Sequence, residues 1–298
     1  MVRILALWCA QGYRKWMDGK LVVVPTPIGR VTDLSPRARD ALATADLVAA
    51  EDTRVTAKLL RELAVHAREL VSCHDFNEGQ RSADFIDRIR AGRTVALVSD
   101  AGTPLVSDPG YRVVKAVLDE GLPVEVLPGP CAAVVALVGS GLPPDRFLFL
   151  GFLPRDPGPR ARALEARRRE RATIVLYEAP HRVKETLAAL REAWGDRRAT
   201  LARSVTKEWE AWVRGPLSAL EAALADEDPV RGELTLVVEG DPEPERPEDE
   251  ERVQALVRGL VEAGVPVATV RDVVARVYDR PRREVYQQAL AARDEGAE

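Results

Sequence analysis

The sequence predicts an α/β fold, with two α/β domains followed by a small C-terminal helical region. Three observations predict it. Short apolar runs of strand length alternate with helical patterns over residues 21–240, and such alternation builds a mostly parallel sheet covered by helices. A Gly/Pro-rich break at 139–144 splits the alternation into two sets. The acidic, Pro-rich run DPEPERPEDEE at 241–251 reads as an exposed linker ahead of three helical stretches. A chain of 298 residues is long for one domain, which fits this division. The expected limits are an N-terminal extension over 1–20, α/β domains over 21–139 and 140–240, a linker over 241–251 and a helical domain over 252–298.

Residues 4–10 are apolar, but only Arg3 precedes them and no small-x-small cleavage pattern appears before Trp16. The stretch is a poor signal peptide. It shows neither capping nor clean periodicity, so the extension is expected to be disordered, with Met17 an alternative start. The first strand follows at 21–24. Ser35-Pro36 opens a helix that runs through Leu42. A strand at 47–50 and a helix at 55–63 come next. Strands at 94–98 and 124–127 complete the first sheet. The helix between them runs from Pro109 to Glu120, with Asp108 as its expected cap and Gly121 as its stop. The second set comprises strands at 147–152, 173–177, 199–204 and 234–238 and a helix at 183–194 ended by Gly195, which together suggest a mixed sheet. Helical patterns at 253–262, 268–278 and 282–291 close the chain.

Composition excludes several classes of function. Apolar residues make up 46% and charged residues 30%, ordinary for a globular protein, and no apolar run reaches the roughly 20 residues that span a bilayer. Cys9, Cys73 and Cys131 show no CxxC spacing, so neither a zinc knuckle nor a disulfide framework is indicated and a reducing cytoplasm fits. His66, His74 and His181 form no metal-ligand motif. Neither GxGxxG nor the phosphate loop GxxxxGK[ST] occurs, which removes the usual support for dinucleotide or nucleoside-triphosphate binding. The net charge of −4 is no footprint of a nucleic-acid-coated surface, yet seven arginines crowd 155–171. That run is either a solvated helix face or a phosphate-contacting patch.

The chemistry is expected at the strand ends. Three strands run straight into turns of small residues: PTPIG at 25–29, SDAGTPLVSDPG at 99–110 and PGPCAA at 128–133. Turns of this kind, after parallel strands, are where α/β proteins hold ligands. Glycine there lets backbone approach a ligand closely. Three of them suggest one shared cleft, with Asp100 projecting from a strand end.

These motifs, with AAEDTR at 49–54, SGLPPDRFLFLGFLPR at 140–155, LYEAPHR at 176–182 and RGELTLVVEG at 231–240, run in order from residue 21 onward. Together they resemble the tetrapyrrole methylase superfamily, and within it the members that methylate the 2′-hydroxyl of a cytidine in 16S rRNA. The resemblance implies S-adenosylmethionine bound in a cleft between two α/β domains, and a homodimer that acts on the decoding site of the small ribosomal subunit. It also implies cofactor contacts from Pro25, Asp100, Ala101, Gly102, Thr103, Gly129, Cys131, Ala132, Tyr177 and Gly232. A same-fold methyltransferase acting on a small tetrapyrrole or a protein side chain, and a non-catalytic ribosome-binding protein, are the alternatives.

Methyl transfer to a ribose hydroxyl needs an acceptor for the hydroxyl proton. Asp52 is the first candidate base, with Lys207 and Glu208 as second choices; Asp52 can equally cap the following helix or pair with Arg54. For RNA contact the candidates are Arg54, Arg155, His181, Arg182 and Lys207, since arginine grips phosphate through two donors and lysine acts as a point charge. His181 has a second possible role in orienting its loop. Three positions depart from the family pattern: Cys131 where serine is usual, Arg30 where asparagine is common, and CHDFNE at 73–78 in place of YHEHNE. A thiol is a poorer donor than a hydroxyl, although a backbone contact at Cys131 survives the change.

Overall fold

A computed structural model describes residues 19–241, 247–278 and 280–295. Most of the expected N-terminal extension, with Met17 and Cys9, lies outside the described residues. The ordered fold nonetheless starts before residue 21. The Lys20 carbonyl accepts the Val95 N–H at 2.9 Å, and its ammonium pairs with Glu125 at 2.7 Å.

The first sheet contains five parallel strands in the order β3-β2-β4-β1-β5: β1 (Leu21–Val23), β2 (Leu47–Ala50), β3 (Leu70–Ser72), β4 (Val95–Val98) and β5 (Val124–Val126). β1, β2 and β4 are buried throughout, so they read as continuous apolar runs. Helices α1 (Pro36–Thr44) and α2 (Thr53–Glu62) bury Ala38, Leu42 and Leu60 on one face. Helices α3 (Glu78–Arg90) and α4 (Tyr111–Asp119) bury Phe85, Ile89, Val113 and Val117 on the other. The chain leaves β1 and β4 toward opposite faces, and adjacent strands of that kind open a crevice at their carboxyl ends.

The second sheet is mixed, in the order β6-β7-β10-β8-β9: β6 (Phe147–Phe152), β7 (Thr173–Glu178), β8 (Arg198–Arg203), β9 (Ala211–Pro216) and β10 (Leu234–Val238). β6 pairs parallel with β7 and the remaining pairs are antiparallel. Helix α5 (Ala132–Ser140), which follows the first sheet, packs Ala133, Ala136 and Leu137 onto one face of this second sheet. The opposite face is covered by α6 (Pro157–Glu165), α7 (Val183–Trp194) and α8 (Leu217–Leu224). Both sheets belong to one compact unit ending at Asp241.

The second compact unit, from Pro242, holds α9 (Pro247–Glu262), α10 (Val267–Val277) and α11 (Arg282–Glu295) around Val253, Val257, Val270, Val274, Val285 and Ala289. α9 begins at Pro247, inside the run read as linker. Proline at a first helical position and acidic residues in a first turn favour a helix N-terminus, so a composition read as linker starts a helix. Residues 242–246 lie outside the described residues.

Candidate active site

Contacts between small residues draw the three strand-end turns together. Thr26 and Gly102 exchange backbone hydrogen bonds of 2.8 and 3.1 Å, joining the turn after β1 to the turn after β4. The Thr103 hydroxyl donates to the Pro130 carbonyl at 2.8 Å, tying in the turn after β5. Gly129 lies flush on Pro25, where an added Cβ would sit 2.3 Å from the proline ring. Gly102 has φ of +86°, a backbone that favours glycine.

The end of the second sheet completes a cavity of about 340 Å³, within the range of small-molecule sites. Its first-sheet wall is Ile28 and residues 101–103 and 106–108. The rest comes from Cys131, Ala132, Phe152, residues 177–180, Val205 and residues 232–235. Of the expected cofactor contacts, Ala101, Gly102, Thr103, Cys131, Ala132, Tyr177 and Gly232 line this cavity. Pro25 and Gly129 lie outside its lining, packed on each other. Asp100 also lies outside the lining; it accepts the Asp52 N–H at 3.0 Å, and its own N–H donates to Glu51 at 3.3 Å.

Tyr177 packs edge-on against Phe149 with ring centres 5.0 Å apart, and its hydroxyl accepts the Ala133 N–H at 3.2 Å. Burial pushes the phenol's pKa upward. Gly232, with φ of +94°, passes so close to Ser204 that an added Cβ would sit 2.5 Å from its hydroxyl. Cys131 occupies the N-cap position of α5 without a side-chain cap bond, in keeping with sulfur being a weak acceptor.

The candidate bases fare differently. Asp52 is the N-cap of α2: its carboxylate accepts the Arg54 N–H at 2.8 Å and grips the Arg54 guanidinium at 2.6 Å. The hydrogen bonds from Arg54 hold its pKa at about 2. A carboxylate so far below neutrality is a weak proton acceptor. Of the two roles open to Asp52, the geometry is that of cap and ion-pair partner. Lys207 is committed to Glu233, which lines the cavity, and so reaches its rim as a paired ammonium. Glu208 is exposed and outside the lining.

Among the expected RNA contacts, Arg155 and His181 are exposed, and Arg54 is exposed but paired with Asp52. Arg182 is engaged within the fold. One of its guanidinium nitrogens donates to the Leu153 and Pro154 carbonyls at 3.0 and 3.2 Å, and Nε faces the buried Glu178 at 3.5 Å. The arginine-rich run is likewise mixed, since Arg160 is buried beside Glu185 while Arg155, Arg162 and Arg171 are exposed.

Asp108 does not take the capping role the sequence suggests. The expected cap of α4 is instead Gly110, with φ of +117°, and the Gly110 N–H donates to Glu78 at 2.8 Å. Asp108 is left as a half-buried carboxylate in the cavity wall. Burial, abetted by Glu51 and Asp100, pushes its pKa up to about 6. The signal was visible as an Asp in a small-residue turn after a buried strand, but Asp-Pro at an apparent helix start reads first as a cap.

Residues 20–221 match the family described as Tetrapyrrole (Corrin/Porphyrin) Methylases. The chain belongs to this family. It is 47% identical to ribosomal RNA small subunit methyltransferase I of Micromonospora olivasterospora, over 92% of this chain and 88% of that one. It is 42% identical to the protein of the same name from Bacillus subtilis, over 90% and 93%. A solved uroporphyrin-III C-methyltransferase from Thermus thermophilus, complexed with S-adenyl homocysteine, shares the fold at a TM-score of 0.51 and 22% identity, over 74% of this chain and 97% of that one.

Proposed function

We propose that this tetrapyrrole methylase family member transfers a methyl group from S-adenosylmethionine to the ribose 2′-hydroxyl of a cytidine in 16S rRNA, at the decoding site of the small subunit. The observation that carries the reading is the cavity at the meeting of three Pro/Gly turns, in a chain alike along nearly its whole length to ribosomal RNA small subunit methyltransferases. The cofactor supplies an electrophilic methyl on a good leaving group. The protein's share is then to bind it, align the hydroxyl and receive a proton. Backbone of 101–103, 131–132 and 232, with the Tyr177 ring, holds the cofactor; Pro25, Asp100 and Gly129 set the shape of that wall. The target nucleotide enters this cavity, with Arg155, His181, Arg54 and Lys207 contacting phosphate. The enzyme works in the cytoplasm as a homodimer.

The test is transfer of tritiated methyl from S-adenosylmethionine to small subunits lacking the modification, followed by nuclease mapping. Label on the ribose of one decoding-site cytidine is expected. Label on a base, on protein or on no acceptor overturns the reading.

A further inference from the structure

With Asp52 committed to its helix, the cavity's own carboxylates become the candidates for receiving the hydroxyl proton. Three line it: Asp108, Glu178 and Glu233. Glu178 is fully occupied, accepting the Ala179 N–H at 2.7 Å and the Thr186 hydroxyl at 2.5 Å beside the Arg182 guanidinium. Glu233 is held by Lys207. Asp108 has no ion pair among the described residues, and its helix has already found another group for its first N–H in Glu78. The turn that carries it is costly to build, for Leu105 and Ser107 both adopt left-handed backbone, with φ of +73° and +68°. Neither is glycine, and such strain in ordinary residues gathers at functional sites.

We propose that Asp108 is the catalytic base, accepting the proton of the substrate hydroxyl as the methyl group is transferred. This rests on the reading of the protein as a ribose methyltransferase. The oxygen–carbon bond forms while the carbon–sulfur bond breaks; its electron pair stays on sulfur, leaving a neutral thioether, and the O2′ proton passes to a carboxylate oxygen of Asp108 and then to water. Around Asp108 stand Glu51 and Asp100 at the ends of β2 and β4, Tyr177 and Glu178 on β7, Cys131 ahead of α5, and the Glu233–Lys207 pair before β10. Arg112, on α4, is turned to Glu78 at 3.4 Å. The surroundings are therefore mainly acidic or neutral, and they keep a carboxyl there nearer the working pH than Asp52 is, as a base requires.

The experiment compares wild type, Asp108→Asn and Asp108→Glu in single-turnover methylation of small subunits, with cofactor affinity measured separately by calorimetry. Asn should lower the rate at saturating cofactor and RNA by about a hundredfold or more, the usual scale for a lost base, while the cofactor Kd stays within about twofold. Wild-type rate should rise with pH through about 6 and then level, the Asn profile should lose that rise, and Glu should regain part of the rate. Asn should also melt no lower than wild type near neutral pH, since it removes an unpaired half-buried charge. Near-normal Asn turnover, or a loss confined to cofactor affinity, overturns the proposal and in the second case makes Asp108 a counter-charge for the cofactor. If Asn fails to fold, a wild-type rate that is flat with pH overturns it. Wild-type enzyme that labels no ribose sinks the functional reading first.

Discussion

Asp52 shows how one carboxylate can satisfy two sequence readings and be settled by its partners. In the EDTR turn it could serve as base or as cap, and the hydrogen bonds from the Arg54 N–H and guanidinium decide for the cap. Asparagine caps nearly as well as aspartate, whereas alanine does not. Asp52→Asn should therefore keep methyl-transfer turnover within a few-fold of wild type, and Asp52→Ala should melt at a lower temperature than Asn. A loss of turnover in Asn as deep as that expected at Asp108 would return Asp52 to the chemistry. The pH dependence has a definite sign. A carboxyl with a lowered folded pKa adds stability above its unfolded value, and that stability disappears as pH falls through the folded value. For Asp52 the window runs from the ordinary 3.8 down to about 2, so Asn should narrow the melting-temperature gap to wild type as pH falls through it.

At the scale of elements, the cavity depends on connections that hold turns in place. Arg182 holds the chain between β6 and α6 through two carbonyls while facing Glu178, which is 2% exposed. Removing one partner of such a pair strands the other as a buried charge, at a cost of about 3 kcal/mol or more. Arg182→Ala should thus lower the melting temperature by about 6–12 °C, on the scale of 2–4 °C per kcal/mol for chains of this size. A shift under 2 °C would mean that Glu178 finds other relief. The buried strands of the first sheet, the helices at 36–44 and 183–194, the mixed second sheet and the convergence of three turns were legible in sequence, because apolar runs and Pro/Gly punctuation mark them strongly. Other elements were not. β3 is a half-buried edge of three residues, and β9 carries charge on an edge. α5 reads AAVVALVGS, apolar on every side, so it shows no helical stripe. α3 did carry one in Ser82, Phe85 and Ile89, but dense surrounding charge hid it. Arg182 and Asp108 were misread for a shared reason: sequence gives a residue's chemistry, whereas the carbonyls or cavity it meets come from distant strands.

At the scale of the whole molecule, every residue lining the cavity lies before Asp241, and so do both sheets. The three C-terminal helices form a separate compact unit with a core of valine and alanine. A unit of this size buries a modest share of its surface and is only marginally stable by itself, whereas the larger unit has two sheets with cores on both faces. Cofactor binding and the fold that supports it should therefore survive removal of the helical unit. A chain ending at Asp241 is expected to unfold cooperatively and to bind S-adenosylmethionine within about threefold of the full chain's affinity by calorimetry. Methylation of small subunits then separates two roles for the helices. Retained activity would make them dispensable for RNA, while loss of activity with intact cofactor binding would assign them to substrate recognition. Failure of the shortened chain to bind cofactor would refute the claim that the site is complete without them.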